Sequence, residues 1–284
     1  MHAHHQNQGA GRGHGLTGSI ATTLRLPDFL GIGTQKGGTT SLQLWLAQHP
    51  QVFLPTCKEV HYFSLHAQQP VSWYGELYRQ ALPQQRCGDI TPYYLFHPEA
   101  PERIRQVLPA VQLVVLLRDP VERTLSHYFH ARRLGFEALP LQKALQMEEE
   151  RLSGAEACLA EPGAQHYSHQ KHSYLARSRY ELQLARYERY FKSEQLLLIR
   201  SEDLFEAPER CWLQLCRFLG IAAEATAVPL QRANAGGGEK VHVPPQLRAW
   251  LREQLQPTYA TLASRWDISW PTPADPAPAA AAAP

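Results

Sequence analysis

The run Phe29 to Ser41, FLGIGTQKGGTTS, sets a lysine, two adjacent glycines and four hydroxyl side chains behind a short apolar segment. An apolar strand that passes through a glycine-bearing loop into a helix aims backbone N–H groups outward, at the positive end of the helix dipole. Such a junction binds anions. Gly37 and Gly38 admit close approach of the backbone to an anion, Thr39, Thr40 and Ser41 add hydroxyl donors, and Lys36 adds a full positive charge. The pattern points to the phosphates of a nucleotide. Compared with the G-x-x-x-x-G-K-[ST] loop of ATP-binding proteins, Gly33 and Gly38 match the two glycines. Thr39 stands where that loop has its lysine, and the lysine lies three places earlier at Lys36. Its ammonium therefore meets a different point on the bound phosphate chain.

A second cluster lies in LVVLLRDPVERTLSHY, Leu113 to Tyr128. Arg118 closes an apolar strand, Asp119-Pro120 opens the next helix, and Ser126 follows about two turns later. A guanidinium fork matches a phosphate; the alternative for Arg118 is an ion pair with Asp119 or Glu122. Ligands of open α/β sheets bind off the carboxyl ends of the strands, so Arg118 and the Lys36 loop are expected to share one crevice.

The elements that must hold these groups are visible as hydrophobic patterns. Phe29–Gly33, Leu113–Leu117 and Leu196–Ile199 read as buried strands. Thr39–His49, Val121–Leu134, the Trp212/Leu215/Cys216/Leu219 set and the Leu247/Trp250/Leu251/Leu255 set repeat at helical spacing. Uninterrupted apolar strands between amphipathic helices imply an α/β protein: a P-loop-like three-layer fold with a central parallel sheet flanked by helices. Residues 26–270 are expected to form the folded domain, with room for a helical insertion or lid. The His/Gly-rich segment 1–25 is expected to be a flexible leader and the Pro/Ala tail 271–284 unfolded.

The chain has 284 residues, with 28 Lys and Arg against 26 Asp and Glu, a formal charge of +2. That balance argues against a nucleic-acid partner held by a broad basic surface. No apolar run approaches the ~18–20 residues of a membrane span, and the N-terminus lacks the apolar core of a secretory signal. The five cysteines are scattered, without a CxxC pair, so a reduced, cytoplasmic protein is expected.

Taken in order, these segments resemble the sulfotransferases that use 3′-phosphoadenosine-5′-phosphosulfate (PAPS). TQKGGTTSL is similar to their 5′-phosphosulfate loop and RDPVERTLSHY to their 3′-phosphate site. KEVHYF (Lys58 to Phe63), GDITPYYL (Gly88 to Leu95), YLARSRYELQLARYERYF (Tyr174 to Phe191), LLLIRSEDLFEAPE and FLGI extend the likeness over about 29–270. It is nearest to the branch holding heparan sulfate enzymes and bacterial carbohydrate or natural-product enzymes. The resemblance implies that Lys36, Gly37, Gly38, Thr39, Thr40 and Ser41 hold the 5′-phosphosulfate, Lys36 also neutralising the leaving phosphate. It implies that Arg118 and Ser126 bind the 3′-phosphate, and that Glu59, with His61 beside it, is the base for the acceptor hydroxyl; the alternatives are an ion pair of Glu59 with Lys58 or a solvated loop charge, and a packed, hydrogen-bonded structural role for His61. The glycine run of NAGGGEK, with Gly236, Gly237, Gly238 and Lys240, falls where the family closes a late loop over the nucleotide; a plain surface loop is the alternative.

Two positions depart from the heparan sulfate 3-O-sulfotransferase pattern: Ser64 replaces an Asp and Ile90 a Lys. Both changes remove charge, which places heparan-type acceptor recognition in doubt. Tyr93, Tyr94 and Phe96 either wall an acceptor pocket or pack in the core. Glu148, Glu149 and Glu150 read as a solvated helix face. The expected activity is metal-free, in-line transfer of a sulfuryl group from PAPS to a hydroxyl of a small molecule or carbohydrate, leaving PAP. The rival readings are a P-loop kinase and a non-catalytic PAP-binding protein. Acceptor identity and oligomeric state stay open.

Overall fold

The structure, a computed structural model, describes residues 24–223 and 243–271. Five strands, β1 (Phe29–Gly33), β2 (Val52–Phe53), β3 (Arg86–Ile90), β4 (Gln112–Leu117) and β5 (Leu196–Arg200), form one sheet ordered β2-β3-β1-β4-β5. Every pairing is parallel. Along the first half of the chain come α1 (Thr39–Ala47), α2 (Val71–Glu76), α3 (Tyr93–Phe96), α4 (Ala100–Val107) and α5 (Pro120–Arg133). Four short helices follow: α6 (Leu141–Gln146), α7 (Glu148–Leu152), α8 (Ala155–Leu159) and α9 (Tyr167–Lys171). The described remainder holds α10 (Tyr180–Glu188), α11 (Ser201–Glu206), α12 (Pro208–Leu219), α13 (Pro245–Gln254) and α14 (Gln256–Trp266).

Alternation along the central strands sends neighbouring side chains to opposite faces. Leu30, Ile32, Leu113, Val115 and Leu117 enter one core with Tyr74, Tyr94, Ile104, Leu184 and Leu262. Phe29, Val114, Leu116, Leu197 and Ile199 enter a second core with Leu42, Trp45, Trp212 and Leu215. Helices thus cover both faces, and the expected three-layer α/β fold is present. A third apolar cluster joins α5 and α6 to Tyr174, Leu175 and α13.

Strand order reverses between β1 and β4: the chain moves from β1 to the edge strand β2, back to β3 beside β1, and then crosses to β4 and β5 on the other side. The register sets Leu30 opposite Leu113 and Gly31 opposite Val114. Loops leaving β1 and β4 therefore diverge over a crevice at the carboxyl edge, the place where such sheets bind ligands.

Three features depart from the sequence reading. RCGDI forms β3, a strand with no apolar run, because its Asp89 is buried on hydrogen bonds from Tyr74 Oη (2.9 Å) and Tyr94 Oη (2.8 Å). Trp250, placed by periodicity on the inner face of α13, is 37% exposed, whereas Leu251 and Leu255 are fully buried. The third correction concerns the acidic run: Glu149 and Glu150 are exposed, but Glu148 is buried. Its carboxylate accepts the backbone N–H groups of Leu175 (2.8 Å) and Ala176 (2.7 Å), which ties the α6–α9 insertion to the segment before α10.

Burial raises the Glu148 pKa to about 7, against the opposing effect of those two N–H donors and of Arg123. An acid whose folded pKa exceeds its unfolded value binds more protons when folded. Its contribution to stability is therefore full below about pH 4.5 and declines as pH rises toward 7. Thermal melts from pH 5 to 8 should show wild type losing on the order of 3 kcal/mol relative to Glu148→Gln over that interval. Parallel pH curves for the two proteins would disprove the assignment.

Candidate active site

β1 ends at Gly33, and the loop 34–38 returns to the sheet before α1 begins. Thr34 N–H donates to Leu116 O (2.6 Å) and Gly37 N–H to Thr34 O (2.9 Å), which closes the loop over the end of β4. A side chain at Gly37 has no space: a Cβ there would lie 2.8 Å from Thr34 Cγ2 and 3.0 Å from the carbonyl oxygens of Leu116 and Thr34. Gly38 caps α1 in a left-handed conformation, φ 96°. The Gly38 carbonyl accepts the Ser41 N–H (2.9 Å), and the N–H groups of Thr39 and Thr40 open the helix ahead of it. Thr39 and Ser41 are buried within that turn and Thr40 is half-buried.

Arg118 stands at the end of β4 and reaches across the crevice, Nη1 donating to Lys36 O at 3.4 Å. The alternative ion pairs are not formed. Asp119 caps α5 by accepting the Glu122 N–H (3.0 Å) and takes a hydrogen bond from Tyr259 Oη (2.9 Å). Glu122 pairs with Arg248. The carbonyl of Arg118 is fixed by Tyr180 Oη (3.0 Å).

Lys36 is half-buried and makes no side-chain ion pair among the described residues. Burial, and then the positive charges of Arg133, Arg118 and Lys58, lower its pKa. A lysine held among cations is a site waiting for an anion. Ser126 lies half-buried on α5, and the residues four and seven further along are His130 and Arg133. His130 is pushed to about 4 by burial, then by Lys36, Arg133 and Lys171. Helical spacing from Ser126 was the available signal for His130 and Arg133; no motif singled them out.

Facing this cradle is the Lys58–His61 segment. Lys58 donates to Thr40 Oγ1 (2.7 Å) and lies 3.7 Å from Glu59 Oε1, so one side chain spans from the first turn of α1 to the carboxylate. Glu59 Oε2 is 3.6 Å from His61 Nε2. Burial alone would raise the Glu59 carboxyl, but the His61 hydrogen bond and the Lys58 charge hold it below its ordinary value. His61 Nδ1 is 3.1 Å from Ser64 Oγ. Its backbone N–H faces Thr91 Oγ1 (3.4 Å), and Thr91 donates to the buried Asp89 (2.7 Å). Ser64 and Ile90, the two departures noted above, are both buried, Ser64 against His61 and Ile90 against Gly31. Lys36, Glu59 and His61 have φ values of 72°, 58° and 58°, so all three candidate catalytic residues sit on left-handed backbone.

Tyr94 belongs to the core and its hydroxyl to Asp89. Tyr93 and Phe96 instead flank the buried Arg177, whose guanidinium lies 5.2 and 4.9 Å from their ring centroids and whose Nη1 donates to Gln35 Oε1 (2.6 Å). Gly236, Gly237, Gly238 and Lys240 lie outside the described residues.

The sulfotransferase-domain family profile matches residues 26–234. The chain belongs to the sulfotransferase family. A sulfotransferase from Alicyclobacillus acidocaldarius superposes with a TM-score of 0.71 at 27% identity, covering 84% of this chain and 95% of that one. The membrane-associated sulfotransferase kil1 of Dictyostelium discoideum is 41% identical over 108 residues, 37% of this chain and 23% of that protein. Human heparan sulfate glucosamine 3-O-sulfotransferase 6 is 36% identical over 104 residues, 37% of this chain and 30% of that protein. The matched stretches span about a quarter to a third of these curated relatives. Among the described residues no helix is long and apolar enough to cross a membrane.

Sulfotransferases of this family take the sulfuryl group from PAPS. The cradle fits the charges of that donor: the Gly37 backbone leaves room for no side chain, and Lys36, Arg118 and Arg133 offer positive charge without neutralising acids beside Lys36. Replacing Arg118 by Ala should weaken PAP binding roughly 10- to 100-fold, the worth of one charge-assisted contact. Arg133→Ala should act in the same direction, and calorimetric titration measures both. Unchanged PAP affinity in both variants would remove the phosphate cleft from this edge of the sheet.

Proposed function

We propose that this sulfotransferase moves the sulfuryl group of PAPS onto a hydroxyl of a carbohydrate or natural-product acceptor, with Glu59 as base and Lys36 as the cation at the breaking bond. The observation that carries this reading is the bridge made by Lys58, which is 2.7 Å from Thr40 Oγ1 and 3.7 Å from Glu59 Oε1. It sets the carboxylate one side chain away from the phosphate cradle, as transfer between a bound donor and an activated hydroxyl requires.

PAPS supplies the sulfuryl group; the protein supplies position and charge. The loop amides and Lys36 bind the 5′ side, and Arg118 with Ser126 binds the 3′-phosphate. Glu59 is ionised at neutral pH, because His61 and Lys58 favour its charged form, and it accepts the proton of the attacking hydroxyl. His61, held by Ser64 Oγ at 3.1 Å, orients the carboxylate and can share that proton. Lys36 neutralises the charge that develops on the departing phosphate, and its lowered pKa recovers once an anion lies beside it.

Lys36→Met should lower kcat by two to four powers of ten, on the order of 3–6 kcal/mol. Glu59→Gln should cost roughly 10²–10⁴ in kcat with PAP affinity preserved. Because the Glu59 pKa is held below its ordinary value, the acid limb of the pH profile should lie below about pH 4.5, with activity lost as pH falls through it. Transfer of label from PAPS to an acceptor panel, with products read by mass spectrometry, provides the assay. Full activity in Glu59→Gln, or an acid limb near neutrality, would place the base elsewhere; stabilisation by ATP–Mg²⁺ and not by PAP would favour a phosphotransferase instead.

A further inference from the structure

Beside the α6–α9 insertion lies a cavity of about 580 Å³, walled on one side by α7 and α8 and on the other by α10. A second cavity, of about 420 Å³, follows between α6 and α13, and the two share Gln146 and Trp250 in their walls. We propose that this pair of adjoining cavities forms a groove that binds a neutral oligosaccharide, the part of the acceptor that extends away from the reacting hydroxyl. The proposal deepens the function above and rests on that reading for its link to catalysis.

The lining selects this chemistry. Trp250 stands at the junction of the cavities, 37% exposed despite its place in an apolar helical pattern, and offers an indole face to the C–H face of a sugar ring. Five glutamines, Gln142, Gln146, Gln183, Gln246 and Gln254, supply groups that both donate and accept, as hydroxyl recognition demands. Gln183 is 2% exposed; its Nε2 donates to the carbonyls of Ala176, Arg177 and Arg179, while its Oε1 has no partner among the described residues. Through these three bonds Gln183 fixes the backbone turn that forms this wall of the cavity.

The charges exclude a polyanionic chain. Arg179 and Arg186 are the cations of the larger cavity, against the exposed Glu149 and Glu156, and Arg186 is already paired with Glu156. No excess of positive charge faces a sulfated polymer. Buried rings connect one wall of the groove to the segment of the proposed base. Phe96 and His169 line it; the His169 ring lies 5.7 Å from the Tyr93 ring, which lies 5.9 Å from the His61 ring, and Tyr93 Oη meets His169 Nδ1 at 2.8 Å. Binding energy from remote sugars at this distance can position the reacting hydroxyl.

Calorimetric titration of the full chain, saturated with PAP, against maltohexaose, cellohexaose, chitohexaose and a heparan sulfate hexasaccharide tests the proposal. Binding of at least one neutral hexasaccharide, weakened tenfold or more by Trp250→Ala and by Gln146→Ala with PAP affinity unchanged, supports it. Both side chains are at least partly exposed, so each variant keeps the fold, and its melting temperature verifies that. Preference for the heparan hexasaccharide, binding insensitive to both substitutions, or no binding by any neutral probe overturns it. Absence of sulfuryl transfer from PAPS to every acceptor would instead defeat the catalytic reading, while the titrations judge the groove separately.

Discussion

Lys36 is held, half-buried, among Arg118, Arg133 and Lys58, and this crowding of like charge is what the rest of the structure must sustain. Each cation raises the cost of the others, so the arrangement persists only because the scaffold fixes it. Parallel pairing of β1 with β4 sets the two loop origins side by side. Thr34 closes the loop onto Leu116, Ser201 Oγ donates to Gly37 O, and Tyr180 holds the carbonyl of Arg118. Folding energy from the two cores on either side of the sheet is thereby spent on a preorganised positive cleft. An anion entering it relieves repulsion that is already present, and little reorganisation accompanies binding.

The opposite wall uses the same strategy with hydrogen bonds. Glu59 and His61 sit on left-handed backbone, a conformation costly for residues with a side chain. Their segment is anchored from below: Thr91 links the His61 backbone to Asp89, and Asp89 is held by Tyr74 and Tyr94. Burial raises the Asp89 pKa, opposed by the hydrogen bonds from Thr91, Tyr94 and Tyr74. The tyrosines so distribute one buried carboxyl over three hydroxyl donors, and the strained loop above inherits a rigid base.

Much of this was legible in the residues. The strand at 29–33 matches the structure at both ends, and the strands at 113–117 and 196–199 differ from it by one residue. Their apolar runs have no other interpretation in a sheet covered on both faces. The nearness of Arg118 to the Lys36 loop followed from topology, since it depends on which strands are neighbours rather than on any side chain. β3 escaped notice because its burial is purchased by polar partners distant in sequence. Glu148 was misread for the same reason: three consecutive glutamates look solvated, and only the N–H groups of Leu175 and Ala176 make one of them a buried tether. Periodicity placed Trp250 in the core because spacing reports a helix face, not whether another element covers it.

Ser64 and Ile90 are the two positions where charge expected from the heparan sulfate 3-O-sulfotransferase pattern is replaced, and the structure gives each a neutral packing role. At Ser64 a hydroxyl, rather than a carboxylate, meets His61 Nδ1, so the imidazole gains an orienting partner without a second negative charge near Glu59. At Ile90 an apolar side chain packs against Gly31 in the sheet, and no ammonium projects toward the acceptor side. Each change lowers the charge available to a sulfated polymer, and the glutamine-lined groove beside α10 lacks positive excess as well. On the proposed reading, the loss of charge at these separate points fits an acceptor that itself carries little charge. On the same reading the donor side admits no such drift, because PAPS brings two anionic ends for Lys36 and Arg118 to meet together.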